Sequence, residues 1–534
     1  MDRLNWIRLS GEQDTATIFT TLVIVLILAA VALWVRKPPK HKRATVLSPP
    51  GPWGLPLLGY LPFLRKKHHI FFRDLSRKYG PVFSVRLGAV NVVVLNSYQS
   101  IREGFSKKQL LARKSNAVLE QAGVSGLPTL NGKSWIDNRK YCVQAINFPA
   151  SGQRDMEAQV QAEIEYLAEK ITETHGRPIP FEQYLFPSVS NNASALVFGH
   201  RYEFDDPKRK MLDGILGDSM RCLAAGALIT FVPRTLGTLT TLYLTRFGAL
   251  KELVGKLKQF ICHEQALEDV HRESRESNFI DGYLQLISEH KGDLHTSFNV
   301  PNLMGNAIAV FAAGSQTTHM TVLWSLLNMA DKADTVQRNV QEEIDRVTGC
   351  SWTAAWSDRH DMPYTTATVW EMYRWRTVVL MGIPREADED VTVQGYLIPS
   401  GTVVMANLWA VHMDPDLWEA PEEFRPERFL SKDGSRLIDK PDWLVPFSVG
   451  KRMCPAENLA NLEVFLYLTR LLQKFTVIPE DGTTIDLTYD TEGFCIPKSQ
   501  RLRFIPRNGS TKPKAPNSVR AEVPSRQNEN SVVY

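Results

Sequence analysis

One cysteine in this chain lies in a setting that suits chemistry. Cys454 ends a loop that contains Phe447, Gly450 and Arg452, and an apolar helix is predicted directly after it. A thiolate at the start of a helix is stabilised by the helix dipole and by backbone N–H groups, and a neighbouring arginine adds positive charge. Such a thiolate is suited to act as a nucleophile or as a metal ligand. The alternative for a single cysteine is an inert buried side chain, so the rest of the sequence must decide.

Two pairs of residues recur at helical spacing. Glu371 and Arg374 are three residues apart, and Trp135 and Arg139 are four apart, so the members of each pair share one face of a predicted helix. The first pair can form an ion pair, and the second presents a cation beside an indole. Each pair also has an ordinary interpretation, because an E-x-x-R spacing occurs by chance and arginines are usually solvated.

A run of small and hydroxylated residues interrupts a long apolar helix between Ala313 and Thr318. Small residues allow the helix to pass close to a neighbouring group, and the Thr317 hydroxyl can hold a hydrogen-bonded ligand or water. Gln316 can orient a water but cannot release a proton by ionisation. The alternative is a helix–helix contact made of small residues.

Taken together, these features resemble the cytochrome P450 family. Five segments carry the resemblance. Residues 447–456 resemble the haem-binding signature F-x-x-G-x-R-x-C-x-G, residues 371–374 the E-x-x-R pair and residues 424–429 the PERF segment. Residues 135–139 resemble the W-x-x-x-R pair, and residues 313–318 the oxygen-activating segment. The chain departs from the family pattern twice. Ala456 stands in place of the last signature glycine, and Gln316 stands where many relatives have an acid.

The resemblance implies a role for each matched residue. The iron ligand would be Cys454, within a haem-binding loop that also contains Phe447, Gly450 and Arg452. The residues expected near the haem propionates are Trp135, Arg139, Arg385 and Arg452. Oxygen activation would involve Thr317 and Gln316. A buried network of structural support would comprise Glu371, Arg374 and Arg428.

The family's substrate pocket can be located only by position along the chain. The positions that correspond to it are apolar, which predicts a lipophilic substrate. They are Val124, Leu127, Ala309, Ala313, Val378, Leu380, Met381 and Phe494.

The elements that must hold these residues are mainly helical with small β-sheets, which the resemblance identifies as the cytochrome P450 fold. Periodicity predicts helices over 71–79, 153–175 and 302–348. Strands are expected at 82–87 and 90–95, turning at Gly88 and Ala89, and a second β element over 391–405, turning at residues 399–401. A length of 534 residues suggests several domains, but the motifs together predict one catalytic domain over residues 57–506. Residues 507–534 are predicted to be a disordered tail.

The N-terminal region predicts a single transmembrane helix ahead of this domain. Residues 15–35 carry no charge and span about 31 Å as a helix, close to the thickness of a bilayer core. The alternatives are a cleaved signal peptide and a buried soluble helix. Basic residues are concentrated after the span, in the proline-rich linker 36–56, so residues 1–14 are expected in the lumen and the catalytic domain in the cytosol. The predicted location is the endoplasmic reticulum membrane.

Composition limits the functional classes further. The formal net charge of +4 is small for this length, so no nucleic-acid partner is predicted. The six cysteines include no C-x-x-C pair, which disfavours a zinc ribbon or a disulfide framework. The chain also lacks a nicotinamide or flavin fingerprint.

The resemblance therefore implies a monooxygenase with haem b, in membrane lipid, acting on a lipophilic small molecule. Its electrons would come from NADPH indirectly, through a separate flavoprotein reductase, with cytochrome b5 as an optional second donor. Two rival classes remain at this point. One is a haem-thiolate enzyme that rearranges an already oxygenated lipid without a reductase, and the other is a non-catalytic haem protein.

Overall fold

A computed structural model describes residues 47–56, 58–114, 125–147, 153–214, 278–349, 352–491 and 493–507, together with residues 21, 252, 255, 256 and 259. Several predicted features lie outside these residues: the transmembrane span 15–35 apart from Thr21, most of the linker, Val124 and the tail 508–534. Among the described residues, no helix is both long enough and apolar enough to cross a membrane.

Helices are the predominant secondary structure of the described chain. They are α1 (His68–Tyr79), α2 (Tyr98–Ser106), α3 (Gly132–Asn147), α4 (Gln153–Thr172), α5 (Glu182–Phe198), α6 (Phe279–Glu289), α7 (Val300–Asp331), α8 (Arg338–Thr348), α9 (Pro363–Trp375), α10 (Leu408–His412) and α11 (Glu457–Lys474). Short 3-10 turns lie at Leu61–Phe63, Lys108–Leu110, Trp356–His360 and Pro426–Phe429. The mainly helical fold class is confirmed.

Within the described residues, the strands form four small sheets. They are β1 (Val82–Leu87), β2 (Val90–Leu95), β3 (Ile179–Pro180), β4 (Arg385–Glu386), β5 (Val391–Val393), β6 (Tyr396–Ile398), β7 (Val403–Ala406), β8 (Phe475–Pro479), β9 (Tyr489–Thr491), β10 (Cys495–Pro497) and β11 (Arg501–Pro506). The largest sheet has the order β1-β2-β7-β4, and the others are β3-β11-β8, β9-β10 and β5-β6. Only the β2–β7 pairing of these is parallel.

The β1–β2 hairpin confirms its prediction residue for residue. Val82 pairs with Leu95 at the open end, and Leu87 pairs with Val90 at the turn. Gly88 has a φ of +57°, a conformation that glycine adopts at little cost. The second β element differs from its prediction, because β5 pairs with β6 through a turn at Gln394 and Gly395. The residues 399–401 instead carry the chain from β6 to β7 in another sheet.

Helix α7 runs through the centre of the molecule and packs against α5, α9 and α11. It begins at an Asn299 cap, whose side chain accepts a hydrogen bond from the Asn302 backbone N–H. The predicted single helix 302–348 is wrong in one respect, because α7 ends at Asp331 and a π-helical turn precedes α8. The buried Gln337 side chain donates to the carbonyls of Met329 and Val477 and accepts from the Val477 N–H. This amide offsets the backbone bonds lost at the break.

Candidate functional site

The cysteine loop is closed by backbone hydrogen bonds and by one close approach of two backbones. The N–H of Cys454 donates to the carbonyl of Phe447 at 2.9 Å, and the Phe447 ring packs edge-on against Tyr373. Gly450 has a φ of +74°, and a Cβ placed there would lie 2.3 Å from the Phe105 carbonyl oxygen. Only glycine fits this position without a backbone shift, so the signature glycine is explained by local geometry.

The surroundings of Cys454 differ from the simple helix-start interpretation. Helix α11 begins at Glu457, so Cys454 precedes the helix rather than opening it. Burial raises the pKa of the Cys454 thiol, while a hydrogen bond from the Ala456 backbone N–H lowers it. The cation that acts on the thiol is Arg139. A bound metal ion would deprotonate a coordinating thiol despite this desolvation.

Arg452 points away from the cysteine and into a set of carbonyl oxygens. Its guanidinium donates to the carbonyls of Leu111, Leu127 and Leu130. It also lies 4.0 Å from the centroid of the Trp135 ring. Arg452 therefore holds the backbone beside the site and does not supply positive charge to the thiol. This corrects the expectation that Arg452, as a sequence neighbour of Cys454, stabilises its thiolate.

Four arginines converge beside this loop without a carboxylate among the groups that act on their pKa. Burial lowers the pKa of Arg452 to about 8 and that of Arg385 to about 9, and in each case other arginines of the set lower it further. Arg113 is affected in the same way by burial and by Arg139, and its pKa falls to about 10. Such mutual repulsion of buried cations is costly unless an anion lies among them.

The arginine cluster fits the two carboxylates of a haem. The Nε of Arg113 and the indole Nε1 of Trp135 are buried and have no hydrogen-bond partner within the described part of the chain. Arg385 is held in place by the carbonyls of Phe105 and Val449, and its guanidinium lies 3.5 Å from the Phe105 ring centroid. Cationic groups with unused donors are the partners that propionates require.

The cluster contains Trp135, Arg139, Arg385 and Arg452, which the motifs had indicated, and also Arg113, which they had not. That residue belongs to no motif quoted above. It reaches the cluster because Ala112 forms a β-bridge with Glu386, next to Arg385. A contact between segments so distant in the sequence leaves no spacing that could have revealed it.

On helix α7, the residues predicted to act on oxygen line one partly open stretch. The Thr317 hydroxyl donates to the carbonyl of Ala313 at 2.8 Å, so its oxygen keeps lone pairs that can accept a hydrogen bond. Ala313 is exposed, and Gln316 is half-buried. A Cβ on Gly314 would meet Ala193 at an ordinary 3.6 Å. Within the protein contacts described, this glycine is therefore not required by close packing.

The predicted Glu–Arg–Arg network is present. Arg374 donates from both Nε and Nη2 to Glu371 at 2.7 Å, and Arg428 Nε donates to the same carboxylate at 3.1 Å. Glu371 and Arg374 are fully buried. Arg374 also donates to three backbone carbonyls, so this network fixes the chain between α10 and the PERF turn.

Most of the expected pocket positions present partly exposed apolar side chains. Val378, Met381 and Phe494 are half-buried, and the Val378 carbonyl accepts from the Cys495 N–H beside Phe494. On the other side, the Leu127 N–H donates to Asn306 of α7 at 2.6 Å, one turn before Ala309. Leu380 differs, because it is only 2% exposed and packs in the main core.

Comparison with known proteins agrees with this geometry. The family model described as Cytochrome P450 matches residues 49–502. The chain is 34% identical to mouse (Mus musculus) cytochrome P450 2J5 over 466 residues, which cover 86% of this chain and 91% of that protein. It is 32% identical to human (Homo sapiens) cytochrome P450 2J2, covering 91% of this chain and 95% of that protein. It is also 29% identical to cytochrome P450 18a1 of Drosophila melanogaster, covering 89% of each.

Proposed function

Because this chain belongs to the cytochrome P450 family and is therefore a haem-thiolate monooxygenase, we propose that it inserts one oxygen atom of dioxygen into a lipophilic small molecule. The substrate classes we propose are steroids, fatty acids and xenobiotics. We further propose that the electrons reach it from NADPH through a separate flavoprotein reductase. The observation that carries the substrate class is the apolar, partly exposed set Ala309, Ala313, Val378, Met381 and Phe494.

The chain's own residues divide the work in this proposal. Cys454 would hold the iron, and the cluster Arg113, Arg139, Arg385 and Arg452 would hold the propionates. Haem b supplies the oxygen-activating chemistry when bound. Thr317 would accept or donate a hydrogen bond at the oxygen-binding face. The apolar pocket residues would exclude water and orient the substrate.

The membrane location is part of the same proposal. Several exposed apolar side chains follow the predicted anchor along the sequence, with Trp53 85% exposed and Leu47 72% exposed. Leu55, Leu58 and Phe63 are exposed as well. Exposed apolar side chains of this size suit the membrane interface, which supports an anchored enzyme at the endoplasmic reticulum with a cytosolic catalytic domain. Protease protection of microsomes should leave the catalytic domain digestible and only the N-terminus protected.

The experiment that tests the activity uses the full chain in vesicles. Steroids, fatty acids and xenobiotics are screened by the shift in the haem spin state, and those that bind are incubated with NADPH and reductase. Product that contains one oxygen atom from labelled dioxygen, and that requires the reductase, supports the proposal. Turnover of an oxygenated lipid without reductase would favour the rearranging class instead, for which Gln316 gives the only specific support. Binding of none of these compounds would refute the substrate class.

A further inference from the structure

A buried acid lies behind the oxygen-binding helix, and the mechanism above does not use it. Glu463, on α11, is 4% exposed, and its carboxyl accepts a hydrogen bond from the Thr318 hydroxyl of α7 at 3.2 Å. Thr318 directly follows Thr317 and is two residues from Gln316. The acid thus contacts the same helical turn that faces the oxygen-binding side.

The neighbours of Glu463 favour a neutral acid. No cation among the described residues acts on this carboxyl; burial raises its pKa to about 8, against smaller opposing contributions from Thr318 and Asn192. Facing it are Tyr467 on its own helix and Tyr373 on α9, and both side chains are themselves kept neutral by burial. A buried carboxylate without a cation is far more costly than a carboxylic acid.

One unused acceptor marks where the proton of such an acid can be held. Asn192, on α5, lies within hydrogen-bonding reach of Glu463, and its Nδ2 donates to the Tyr467 hydroxyl at 3.1 Å. Its Oδ1 is buried and has no partner within the described residues. Buried amide oxygens are normally paired. A neutral Glu463 carries an O–H, which is the kind of donor that this oxygen lacks, whereas a carboxylate carries none.

We propose that Glu463 is held as a neutral carboxylic acid and, through Thr318, keeps a proton in store for the distal threonine pair, in place of the acid that Gln316 replaces. This inference rests on the proposed monooxygenase function. When a water on the distal side gives up one of its own protons, it takes the Thr318 hydroxyl proton, and the Glu463 proton replaces that one, which leaves Glu463 as a carboxylate. A proton from solvent then returns by the reverse route, so only O–H bonds break and form. Glu463 acts through another residue and is therefore a positioning residue.

The first measurement does not depend on turnover. Infrared difference spectra of the haem-loaded protein between pH 6 and pH 10, values chosen about two units either side of the titration, should show loss of a protonated carboxyl band. The band should be absent in Glu463→Gln. The matched control is Glu163→Gln on α4, which removes an equally buried carboxyl that is paired with Arg201 at 2.6 Å and whose pKa burial also raises. That control should leave the titrating band in place, because Glu163 is paired with Arg201. If Glu463→Gln removes no titrating band, the proposal is overturned.

The second measurement compares product formation with the hydrogen peroxide released per NADPH consumed. With a substrate that the wild type oxidises, Glu463→Gln should form product about 10²-fold more slowly, the low end of what a positioned proton donor contributes, and release more hydrogen peroxide per NADPH. Thr318→Val should behave alike while keeping the infrared band, and Thr318→Ser should match the wild type. Gln316→Glu should restore product formation to the Glu463→Gln background. Unchanged product and peroxide yields in both Glu463→Gln and Thr318→Val would refute the relay.

These outcomes separate the two proposals. If the wild type oxidises none of the tested lipophilic compounds but the carboxyl band still titrates and disappears in Glu463→Gln, the substrate class fails and the stored proton is supported. If product forms in the wild type but no such band titrates, the stored proton is overturned and the monooxygenase proposal stands.

Discussion

Removal of Glu371 provides the sharpest test of how the site is supported. Its carboxylate accepts four hydrogen bonds: two at 2.7 Å from Arg374, one at 3.1 Å from Arg428 and one at 2.8 Å from the Arg425 backbone N–H. Glu371→Ala would leave the fully buried Arg374 guanidinium without a counter-charge. Loss of one partner from a buried ion pair costs about 3–5 kcal/mol, and we expect the upper end because the Arg374 contact is bidentate.

The assay is urea unfolding of the haem-loaded protein, followed by far-UV circular dichroism, with the carbon monoxide spectrum recorded in parallel. The control is Glu419→Gln, which removes an ion pair between Glu419 and Arg425. The Glu419 side chain is 84% exposed. An exposed pair of this kind contributes about 0–1 kcal/mol. If Glu371→Ala costs no more than this control, the network does not carry the stability that its burial and geometry imply.

Three further predictions concern the loop, the core and the arginine cluster. Gly450→Ala should destabilise the haem-loaded protein by about 2 kcal/mol or more in thermal unfolding, since left-handed φ costs about 1–2 kcal/mol and the Cβ would clash with Phe105; a change below about 0.5 kcal/mol would contradict this. His412 is buried, its Nε2 accepts from the Val445 N–H, and burial lowers its pKa from 6.5 to about 3. The unfolded chain therefore binds the proton first, so the free energy of unfolding should fall as pH drops from about 6.5 to 3, by up to about 1.4 kcal/mol per pH unit. His412→Gln should flatten this slope, and an equal slope in both proteins would refute the assignment of the pH dependence to His412. Arg113→Leu should raise the urea midpoint of the haem-free protein, because it relieves cation repulsion, yet speed haem loss to apomyoglobin; slower or unchanged loss would exclude Arg113 from the propionate site.

Local patterns predicted the parts of the fold that local forces determine. The β1–β2 hairpin consists of two runs rich in valine and other apolar residues on either side of a glycine turn, and these two local features predict its pairing. The break after Asp331 could not be predicted in this way, because the apolar period continues unbroken into α8. At this break the Gln337 amide bonds to Val477, which lies in a strand 140 residues away and so leaves no local signal in the sequence.

The site shows the same division between local and distant contacts. The positions of Cys454, Glu371 and Thr317 follow from motifs whose members are neighbours in the sequence. The direction of the Arg452 side chain does not, since its partners lie in the segment from Leu111 to Asn131. The pKa shifts depend on burial, which a short sequence pattern does not reveal. The sequence therefore predicted a readily ionised Cys454 thiol, whereas burial in the structure raises its pKa.

The parallel pairing of β2 with β7 has a consequence for synthesis of the chain. Asn96, at the end of β2, accepts a hydrogen bond from Asn407, at the end of β7, across 311 residues. At about 5–20 residues per second, the β1–β2 hairpin leaves the ribosome roughly 15–60 s before its parallel partner. During that interval an apolar strand edge has no sheet to join, and such edges pair readily with other chains. We therefore expect chaperone dependence during translation to centre on this hairpin, and nascent chains truncated before β7 to aggregate through it.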